Sequence, residues 1–279
     1  MTTNQQMTQH KRLTPEQQQK FATDGYVVVD EVLSPDSFEA LKRHFEEKLN
    51  ALPEGQRPED LDVPHFTDPE LFRWLFDDGV LNLVEGILGP DIALFSSHFF
   101  CKPAGDGKRV PWHQDAYFWR EQIVPAERAI TLWLAIDPST EENGCVRVIP
   151  GTHRAEHLHY SKLEDPSSVF NEELKQDEID ESQSVPIVVH PNQASIHSAG
   201  LIHGSTQNLS SIRRCGFTMR YISTDVKFNA EAVGDRHEIY LARGVDRAGN
   251  VYGDPDHPNA GLAAARGMGQ TFVGAKKMM

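Results

Sequence analysis

The stretch "QASIHSAGLIHGSTQNLSSIRRCGFTMRYIST", residues 193–224, alternates short apolar and β-branched runs with turn residues. Gly, Ser and Asn separate the runs, as they do between the strands of antiparallel β-proteins. The connection between His203 and Arg214 is rich in these residues, so we predict a hairpin that returns Arg214 beside the strand of His203. This stretch therefore predicts an antiparallel β-sheet.

The same pattern extends back to residue 91 and indicates the fold class. Further β-like runs are "IALFSSHFFCK", "AITLWLAID", "CVRVIP" and "VPIVVH". Many short strands after a helical first third are typical of a barrel or jelly roll braced by helices. We therefore expect a mainly β protein with N-terminal helices.

Helical patterns dominate the region before residue 91. Thr14-Pro15-Glu16 is a helix start, and that helix is expected to end near residues 23–25. A second helix is predicted to follow Ser34 as its N-cap. Its apolar face consists of Phe38, Leu41, Phe45 and Leu49. Residues 68–89 carry a third helical pattern.

The chain length allows one domain with appendages. With 279 residues, 39% of them hydrophobic, the chain can bury a substantial core. The predicted parts are a disordered leader (1–12) and a single domain (13–279), which comprises helical support (13–90), a jelly-roll core (91–225) with a lid-like insertion (160–184), and a C-terminal extension (226–279).

Charge and cysteine usage restrict the partners and the compartment. A net charge of −14 argues against nucleic acid or an anionic membrane as partner, since both favour a basic face. The three cysteines form no CxxC pair, which favours reduced thiols. Because the first residues are polar and no apolar segment is long enough to span a membrane, we expect a cytoplasmic protein. We also expect it to be a monomer or a homodimer.

The segment "PWHQDAYFW", residues 111–119, contains a candidate metal motif. On a strand, residues i and i+2 share a face, so His113 and Asp115 would point together. One further histidine would complete a two-histidine, one-carboxylate site of the kind that holds ferrous iron. Candidates for that third ligand are His153, His157, His159, His197 and His203. The alternative is a buried histidine paired with an aspartate in the core.

Arg214 adds a second chemical feature near this motif. It follows His203 by eleven residues, and its planar set of donors can bind a carboxylate with two hydrogen bonds. Ser205 would share the face of His203 on a strand and add a hydroxyl donor. An arginine beside a metal site suits the far end of a diacid co-substrate.

Several motifs together resemble a known family. They are "FATDGYVVVDEVLS", "PWHQD", "TLWLAID", "ENGCVRVIPGTHR", "SIHSAGLIHGSTQN" and "RRCGFTMRYI". In this combination the chain resembles the phytanoyl-CoA dioxygenase family of iron(II)- and 2-oxoglutarate-dependent oxygenases. The resemblance implies a double-stranded β-helix, which is a cupin-like jelly roll, and a reaction in which 2-oxoglutarate and O2 yield succinate and CO2.

The resemblance also implies roles for individual residues. It makes His113, Asp115 and His203 the catalytic iron ligands and Arg214 the anchor for 2-oxoglutarate. The further candidates for the cofactor pocket are Ser205, Trp133, His98 and Thr131. Halogenating relatives carry a small residue in place of the carboxylate, so Asp115 favours hydroxylation of a C–H bond over halogenation.

The sequence also offers candidate contacts for the organic substrate. The candidate contacts are Tyr117, Trp119, His197 and Arg147, although core packing explains the two aromatic residues and a surface position explains the arginine equally well. Little in the chain indicates a CoA site, so a small-molecule metabolite is expected. Other oxidations by the same kind of site, such as desaturation, epoxidation or ring formation, remain alternatives.

Two alternatives come from other classes of protein. "HRAEH", residues 153–157, matches the HxxEH pattern of a zinc metallopeptidase, but it lacks a long flanking amphipathic helix. A jelly roll that binds metal without catalysis is the other alternative, and the arginine near the metal motif disfavours it.

Overall fold

The structure of the protein, a computed structural model, describes residues 11–155, 158–234, 236–257 and 261–262. Most of the predicted leader and most of the tail after residue 257 lie outside the described residues. Strands outnumber helices in the described part, as expected. None of the helices there has the length and apolar character needed to cross a membrane.

Most α-helices of the described residues lie in the chain before residue 91. Their bounds are α1 Pro15–Asp24, α2 Pro35–Asn50, α3 Phe72–Leu75, α4 Asp78–Leu88 and α5 Asp115–Trp119. The strands are β1 Tyr26–Val29, β2 Ile92–Lys102, β3 Val110–His113, β4 Ile123–Val124, β5 Ala129–Ala135, β6 Arg147–Val148, β7 Tyr160–Lys162, β8 Glu172–Leu174, β9 Val185–Pro186, β10 Ala194–Ser198, β11 His203–Ser205, β12 Arg214–Ser223, β13 Lys227–Phe228 and β14 Tyr240–Arg243.

The first two helices begin and end where the sequence predicts. Thr14 and Gln17 form a reciprocal capping box at the start of α1, and Gly25 ends the helix with a left-handed φ of 80°. Ser34 caps α2 by accepting a hydrogen bond from the backbone N–H of Ser37. The apolar face of α2 is buried, which confirms the predicted amphipathic helix.

The third predicted helix is interrupted. Residues 68–89 form a 3-10 turn, the short helix α3 and then α4, rather than one continuous helix. The break lies at Asp77, whose carboxylate accepts hydrogen bonds from the backbone N–H groups of Gly79 and Val80. An aspartate at this position caps a new helix, so the apolar periodicity continues while the axis changes.

Two antiparallel sheets form the centre of the molecule. The larger has six strands in the order β1-β10-β5-β12-β2-β14, and the smaller has four in the order β3-β11-β6-β9. Alternate residues of β5 divide the two faces of the larger sheet. Ile130, Leu132 and Leu134 pack in a core with side chains of α2 and α4, while Thr131 and Trp133 face a cavity on the opposite side. This alternation follows from the period of two along a strand.

The predicted hairpin between His203 and Arg214 is wrong. The strand of His203, β11, belongs to the four-stranded sheet, whereas the strand of Arg214, β12, belongs to the six-stranded sheet. The connection crosses from one sheet to the other because Asn208 ties it to the end of β2. The Asn208 side-chain amide donates to the carbonyls of Lys102 and Pro103, and its backbone pairs with Gly107.

The predicted lid-like insertion contains the β7–β8 hairpin. Arg109, just before β3, forms ion pairs with Asp165 at 2.7 Å and Glu173 at 3.2 Å. Backbone hydrogen bonds join Arg109 to residues 167 and 169. These contacts hold the insertion against the smaller sheet, and its function as a lid stays a prediction.

All three cysteines are buried, and none forms a disulfide. Cys101 and Cys215 are directly opposite one another on β2 and β12. Cys145 lies outside both strands, close to Arg214. The expected reduced thiols agree with this arrangement.

Candidate active site

Three buried side chains of metal-ligand type converge between the sheets. One ligand atom each from His113, Asp115 and His203 lies within 4.8 Å of the other two. His113 ends β3 and His203 begins β11, and the two residues are paired across these strands with ring centroids 4.1 Å apart. Among the described candidates for the third ligand, it is His203 that lies in this cluster, as the resemblance implied, while His157 lies outside the described residues.

Asp115 reaches the histidines differently from the prediction. It does not continue the strand of His113, because β3 ends and the short helix α5 begins at Asp115. Its Oδ1 nevertheless lies 3.5 Å from His113 Nε2, and its Oδ2 accepts a hydrogen bond from the Thr131 hydroxyl at 3.1 Å. The turn from strand to helix therefore points the carboxylate into the site.

Both histidines have the tautomer that a metal ligand needs. His113 Nδ1 lies 2.8 Å from the carbonyl oxygen of Pro111, and His203 Nδ1 lies 2.9 Å from that of Leu201. A carbonyl can only accept, so each Nδ1 donates its proton there, and Nε2 is the ring nitrogen of each histidine that is left to bind a metal. Such hydrogen bonds orient the ligating imidazole rings.

The protonation states also suit a cation. Burial opposes ionisation of Asp115, but the interaction with His113 and the nearby side chains of His203 and Arg220 outweigh it and hold the pKa of the carboxyl below its ordinary value. Burial, reinforced by His113, lowers the pKa of His203 well below its usual range. At neutral pH the site therefore offers a carboxylate and a neutral His203 imidazole.

Two cationic side chains form the other end of the same region. Lys102 and Arg214 are opposite each other on β2 and β12, and their relative exposures are 0% and 1%. Burial lowers the pKa of Arg214 to about 10, so its guanidinium stays protonated at neutral pH. Burial, followed by the charge of Arg214, lowers the pKa of Lys102 well below its usual value.

Neutral groups hold these two side chains in place. Lys102 Nζ donates to Ser205 Oγ at 2.7 Å and to the carbonyl of Thr206. Arg214 donates to the carbonyl of Gly144, and its guanidinium lies 4.9 Å from the centre of a Trp133 ring. The buried Nε of Arg214 has no hydrogen-bond partner among the described residues. A buried guanidinium that has no carboxylate partner is well suited to binding an anionic ligand.

One cavity joins the three ligand residues and Arg214. Four of the other predicted site residues also line it, namely Ser205, Trp133, Thr131 and His197, together with Phe100 and Thr218. The ring of His197 lies 4.7 Å from that of His203, and its Nε2 has no hydrogen-bond partner in the described structure. The fold therefore brings most of the predicted site to one place.

Two predicted residues lie elsewhere. His98 is buried beside the cavity wall, where its Nε2 lies 3.1 Å from the carbonyl of Glu59 and its Nδ1 lies 3.4 Å from Asp62. Arg147 points to the far side of the smaller sheet, where it hydrogen-bonds to Ser184. Neither side chain lines the cavity.

The two predicted aromatic contacts are placed by α5 rather than by a strand. Residues 115–119 are helical, so these two side chains do not share a strand face with His113. Trp119 is buried against Phe95 in the core. Tyr117 is half-buried and stacks on Tyr160, with ring centroids 3.5 Å apart. Neither is among the residues that line the cavity.

Sequence reasoning missed three residues near the ligand cluster. Lys102 is the last residue of a largely apolar strand, so nothing in the sequence singled it out. Phe170 lies in the insertion, and its ring centre is 4.8 Å from that of His113. Arg220 lines the cavity on β12, on the same face as Arg214. The even spacing of the two arginines was a signal available in the sequence.

The metallopeptidase alternative gains no support. Residues 152–154 form a 3-10 turn rather than the start of an α-helix. Glu156 and His157 lie outside the described residues. An HxxEH site needs both histidines on one face of a helix.

The family model for phytanoyl-CoA dioxygenase (PhyH) matches residues 21–216, a span that contains all three ligand residues and Arg214. The chain belongs to the PhyH family. This confirms the resemblance that the motifs indicated. Phytanoyl-CoA dioxygenase from Rattus norvegicus is 25% identical over 240 residues, which cover 77% of this chain and 70% of the relative. Ectoine dioxygenase from Bordetella parapertussis is 25% identical over 246 residues, which cover 80% and 79%.

Solved structures share the fold of this PhyH-family chain. The non-haem monooxygenase ThoJ, in its apo form, aligns with a TM-score of 0.69 and 24% identity over 89% of this chain and 91% of that chain. CytC3, solved with Fe(II) and alpha-ketoglutarate, aligns with a TM-score of 0.59 and 25% identity over 85% of this chain and 91% of that chain. The cupin-like class of the fold is therefore supported at the level of whole chains.

Proposed function

We propose that this chain is an Fe(II)- and 2-oxoglutarate-dependent dioxygenase that hydroxylates an unactivated C–H bond of a small-molecule metabolite. The observation that carries the proposal is the single cavity that joins His113, Asp115 and His203 to the buried guanidinium of Arg214. A metal-binding module without catalysis would have no use for that guanidinium. Family membership and the iron- and 2-oxoglutarate-bound CytC3 structure support the proposal.

The donor set fits ferrous iron. Two imidazole nitrogens and one carboxylate oxygen lie close together at the wall of the cavity that all three residues line. This is the ligand type and number of the facial triad of non-haem iron enzymes. We therefore assign His113, Asp115 and His203 as the iron ligands.

The cationic end of the cavity fits the far carboxylate of 2-oxoglutarate. Arg214 provides the fixed charge, and its unpartnered Nε is a free donor. Lys102 and Ser205 form a second donor pair beside it. A dianion that bridges the metal and these groups would offset buried positive charge, which is costly when it is left uncompensated.

Iron, when bound, would couple oxidative decarboxylation of 2-oxoglutarate by O2 to insertion of one oxygen atom into a C–H bond, with succinate and CO2 as the other products. The protein residues position the reactants. Trp133 and Phe100 shield the cavity from water, Thr131 orients the carboxylate of Asp115, and Arg214 orients the co-substrate. Asp115 would occupy the coordination position that a small residue leaves free in halogenating relatives, which favours hydroxylation over halogenation.

The finer architecture belongs to the same proposal. The two antiparallel sheets with the ligand cluster between them support a double-stranded β-helix, and we infer one oxygenase domain over residues 13–279. The insertion at 160–184 places Phe170 against the ring of His113, which supports its assignment as a cover of the site. Substrate would enter on the side of His197, which lines the cavity without a hydrogen-bond partner for its Nε2.

The decisive experiment is spectroscopic. Anaerobic protein with ferrous iron and 2-oxoglutarate is expected to show the weak visible charge-transfer band of a chelated keto acid. On exposure to O2, a metabolite panel screened for succinate release should then contain a compound that gains one oxygen atom by mass. Absence of the band in protein with demonstrated iron loading would refute the proposal.

Gly216 gives a prediction that follows from packing. A methyl group at this position would lie 2.2 Å from atoms of the Trp133 ring, far inside van der Waals contact. Gly216→Ala should therefore displace the indole on which the guanidinium of Arg214 rests and weaken 2-oxoglutarate binding by about 10-fold. Titration of the charge-transfer band measures this affinity.

A second substitution serves as its control. Trp133→Phe in the Gly216→Ala background makes room for the methyl group while keeping an aromatic face under Arg214. The double variant should regain part of the affinity, and iron binding should be equal in both proteins. If Gly216→Ala binds 2-oxoglutarate as tightly as the parent protein, the proposed support of Arg214 by Trp133 is wrong.

A further inference from the structure

A row of polar side chains crosses the larger sheet beside Asp115. Ser96 is opposite Arg220, Arg220 is opposite Thr131, and Thr131 is opposite His197 in the strand register. Arg220, Thr131 and His197 all line the cavity. The row therefore presents a guanidinium and an imidazole next to the carboxylate of the ligand cluster.

Arg220 and Arg214 mark two separate positions along the same strand. They share one face of β12 and are six residues apart, which corresponds to about 20 Å between Cα atoms in extended chain. The Arg214 end also contains Lys102 and Ser205, whereas the Arg220 end contains His197 and Thr131. A co-substrate whose far carboxylate is bound by Arg214 would leave Arg220 without that carboxylate.

The guanidinium of Arg220 is held in position by neutral groups, and the carboxylate on which its charge acts is Asp115 of the ligand cluster. Its Nη1 donates to Ser96 Oγ at 3.3 Å, and the group lies 5.5 Å from a ring centre of Trp119. The residue is only 7% exposed, and no carboxylate of the described residues forms an ion pair with it. Three buried atoms on this side have no hydrogen-bond partner in the described structure, namely Arg220 Nε, His197 Nε2 and Thr218 Oγ1.

The charges of the loaded site do not cancel without a further anion. The two positive charges of iron would equal the two negative charges of 2-oxoglutarate. Asp115 offsets one of the two guanidinium groups of Arg214 and Arg220, so one buried positive charge remains even if Lys102 is neutral. An uncompensated buried charge is costly, and a bound anionic group would remove that cost.

We propose that Arg220, with His197 beside it, binds a carboxylate of the organic substrate. The inference rests on the proposed function and narrows it to carboxylate-bearing metabolites. A carboxylate matches both the single remaining positive charge and the planar set of donors, whereas a dianionic phosphate would exceed that charge. Trp119 acts as a positioning residue, because its ring packs against the Arg220 guanidinium.

Matched acids and amides test this assignment. Zn(II)-substituted protein loaded with 2-oxoglutarate would be titrated with butyrate and butyramide, and with phenylacetate and phenylacetamide, by ligand-observed NMR. Each acid is expected to bind about 10-fold more tightly than its amide, because a charged hydrogen bond is lost in the amide. Arg220→Gln should remove this preference, and Arg220→Lys should keep part of it.

The affinity for 2-oxoglutarate separates the possible failures. It should be nearly equal in the parent protein, Arg220→Gln and Arg220→Lys, which also shows that the variants fold. If acids and amides bind equally, if the preference survives in Arg220→Gln, or if that variant loses 2-oxoglutarate as well, the substrate role of Arg220 is refuted. If the parent protein itself fails to bind 2-oxoglutarate, the proposed function fails instead.

Discussion

Asp115→Ala is expected to lower the affinity for ferrous iron by more than about 100-fold and to abolish succinate formation. Asp115 contributes the only negative charge of the ligand cluster in the described residues, and the alanine leaves two imidazole nitrogens to hold a divalent cation. Loss of a group that merely orients a ligand already costs about 10- to 100-fold in affinity, so loss of the ligand itself should cost more. Metal binding can be measured by the rise in melting temperature on adding Fe(II) under anaerobic conditions.

Thr131→Val is the matched control for this prediction. It keeps the carboxylate and nearly the same side-chain volume but removes the hydroxyl that donates to Asp115 Oδ2 at 3.1 Å. We expect about a 10-fold loss of iron affinity, intermediate between the parent protein and Asp115→Ala. Equal iron affinity in the parent protein and Asp115→Ala would show that the metal is held elsewhere.

Arg214→Gln is expected to weaken 2-oxoglutarate binding by about 100-fold or more while iron remains bound. Truncating one partner of a buried, hydrogen-bonded charge pair costs about 2 to 5 kcal/mol in binding. Arg214 is not hydrogen-bonded to any of the three ligand residues in the described structure, so the affinity for the metal should change little. Titration of the charge-transfer band gives the 2-oxoglutarate affinity, and a colorimetric iron assay gives the metal content.

The neighbouring Arg213 provides a control that differs by one position. Arg213 directly precedes β12, and its side chain points away from that of Arg214. It forms ion pairs with Glu46 and Asp137 at 2.5 and 2.7 Å. Arg213→Gln removes the same charge from the chain, so it should leave 2-oxoglutarate affinity within about twofold and only reduce stability modestly. A similar loss of affinity in both variants would mean that overall charge, rather than the cavity position of Arg214, determines binding.

Local sequence features predicted the elements well where one residue determines a boundary. Thr14, Ser34 and Gly25 set helix ends because side-chain capping and a left-handed backbone need no distant partner. The alternation along β5 was also predictable, because a period of two follows from strand geometry alone. The helical pattern over residues 68–89 is also present, divided into more than one helix because Asp77 caps a new helix without disturbing the apolar pattern.

Predictions failed where they depended on how strands join sheets. A Ser- and Asn-rich connection fits a tight hairpin and a crossing between sheets equally well, and the hydrogen bonds of Asn208 to the end of β2 decide between them. Likewise, HxD on a continuing strand and HxD across a strand-to-helix turn look alike in sequence. The second arrangement occurs here, and it places Tyr117 and Trp119 outside the cavity lining.

The amino-acid sequence alone determined the types of ligand, the likeness to the PhyH family and the mainly β character, because these depend on residue identity and local periodicity. The resemblance had already assigned His203 as the third ligand, whereas only the tertiary structure decided that Asp115 reaches it from a helix, that Arg214 approaches it from the other sheet, and that Lys102 and Arg220 lie in the same region. Those relations depend on strand register and on connections between sheets, where residues about a hundred positions apart become neighbours. A buried cation in a strand looks like any other polar residue until its neighbours are known, and here the neighbours leave Arg220 without a carboxylate partner.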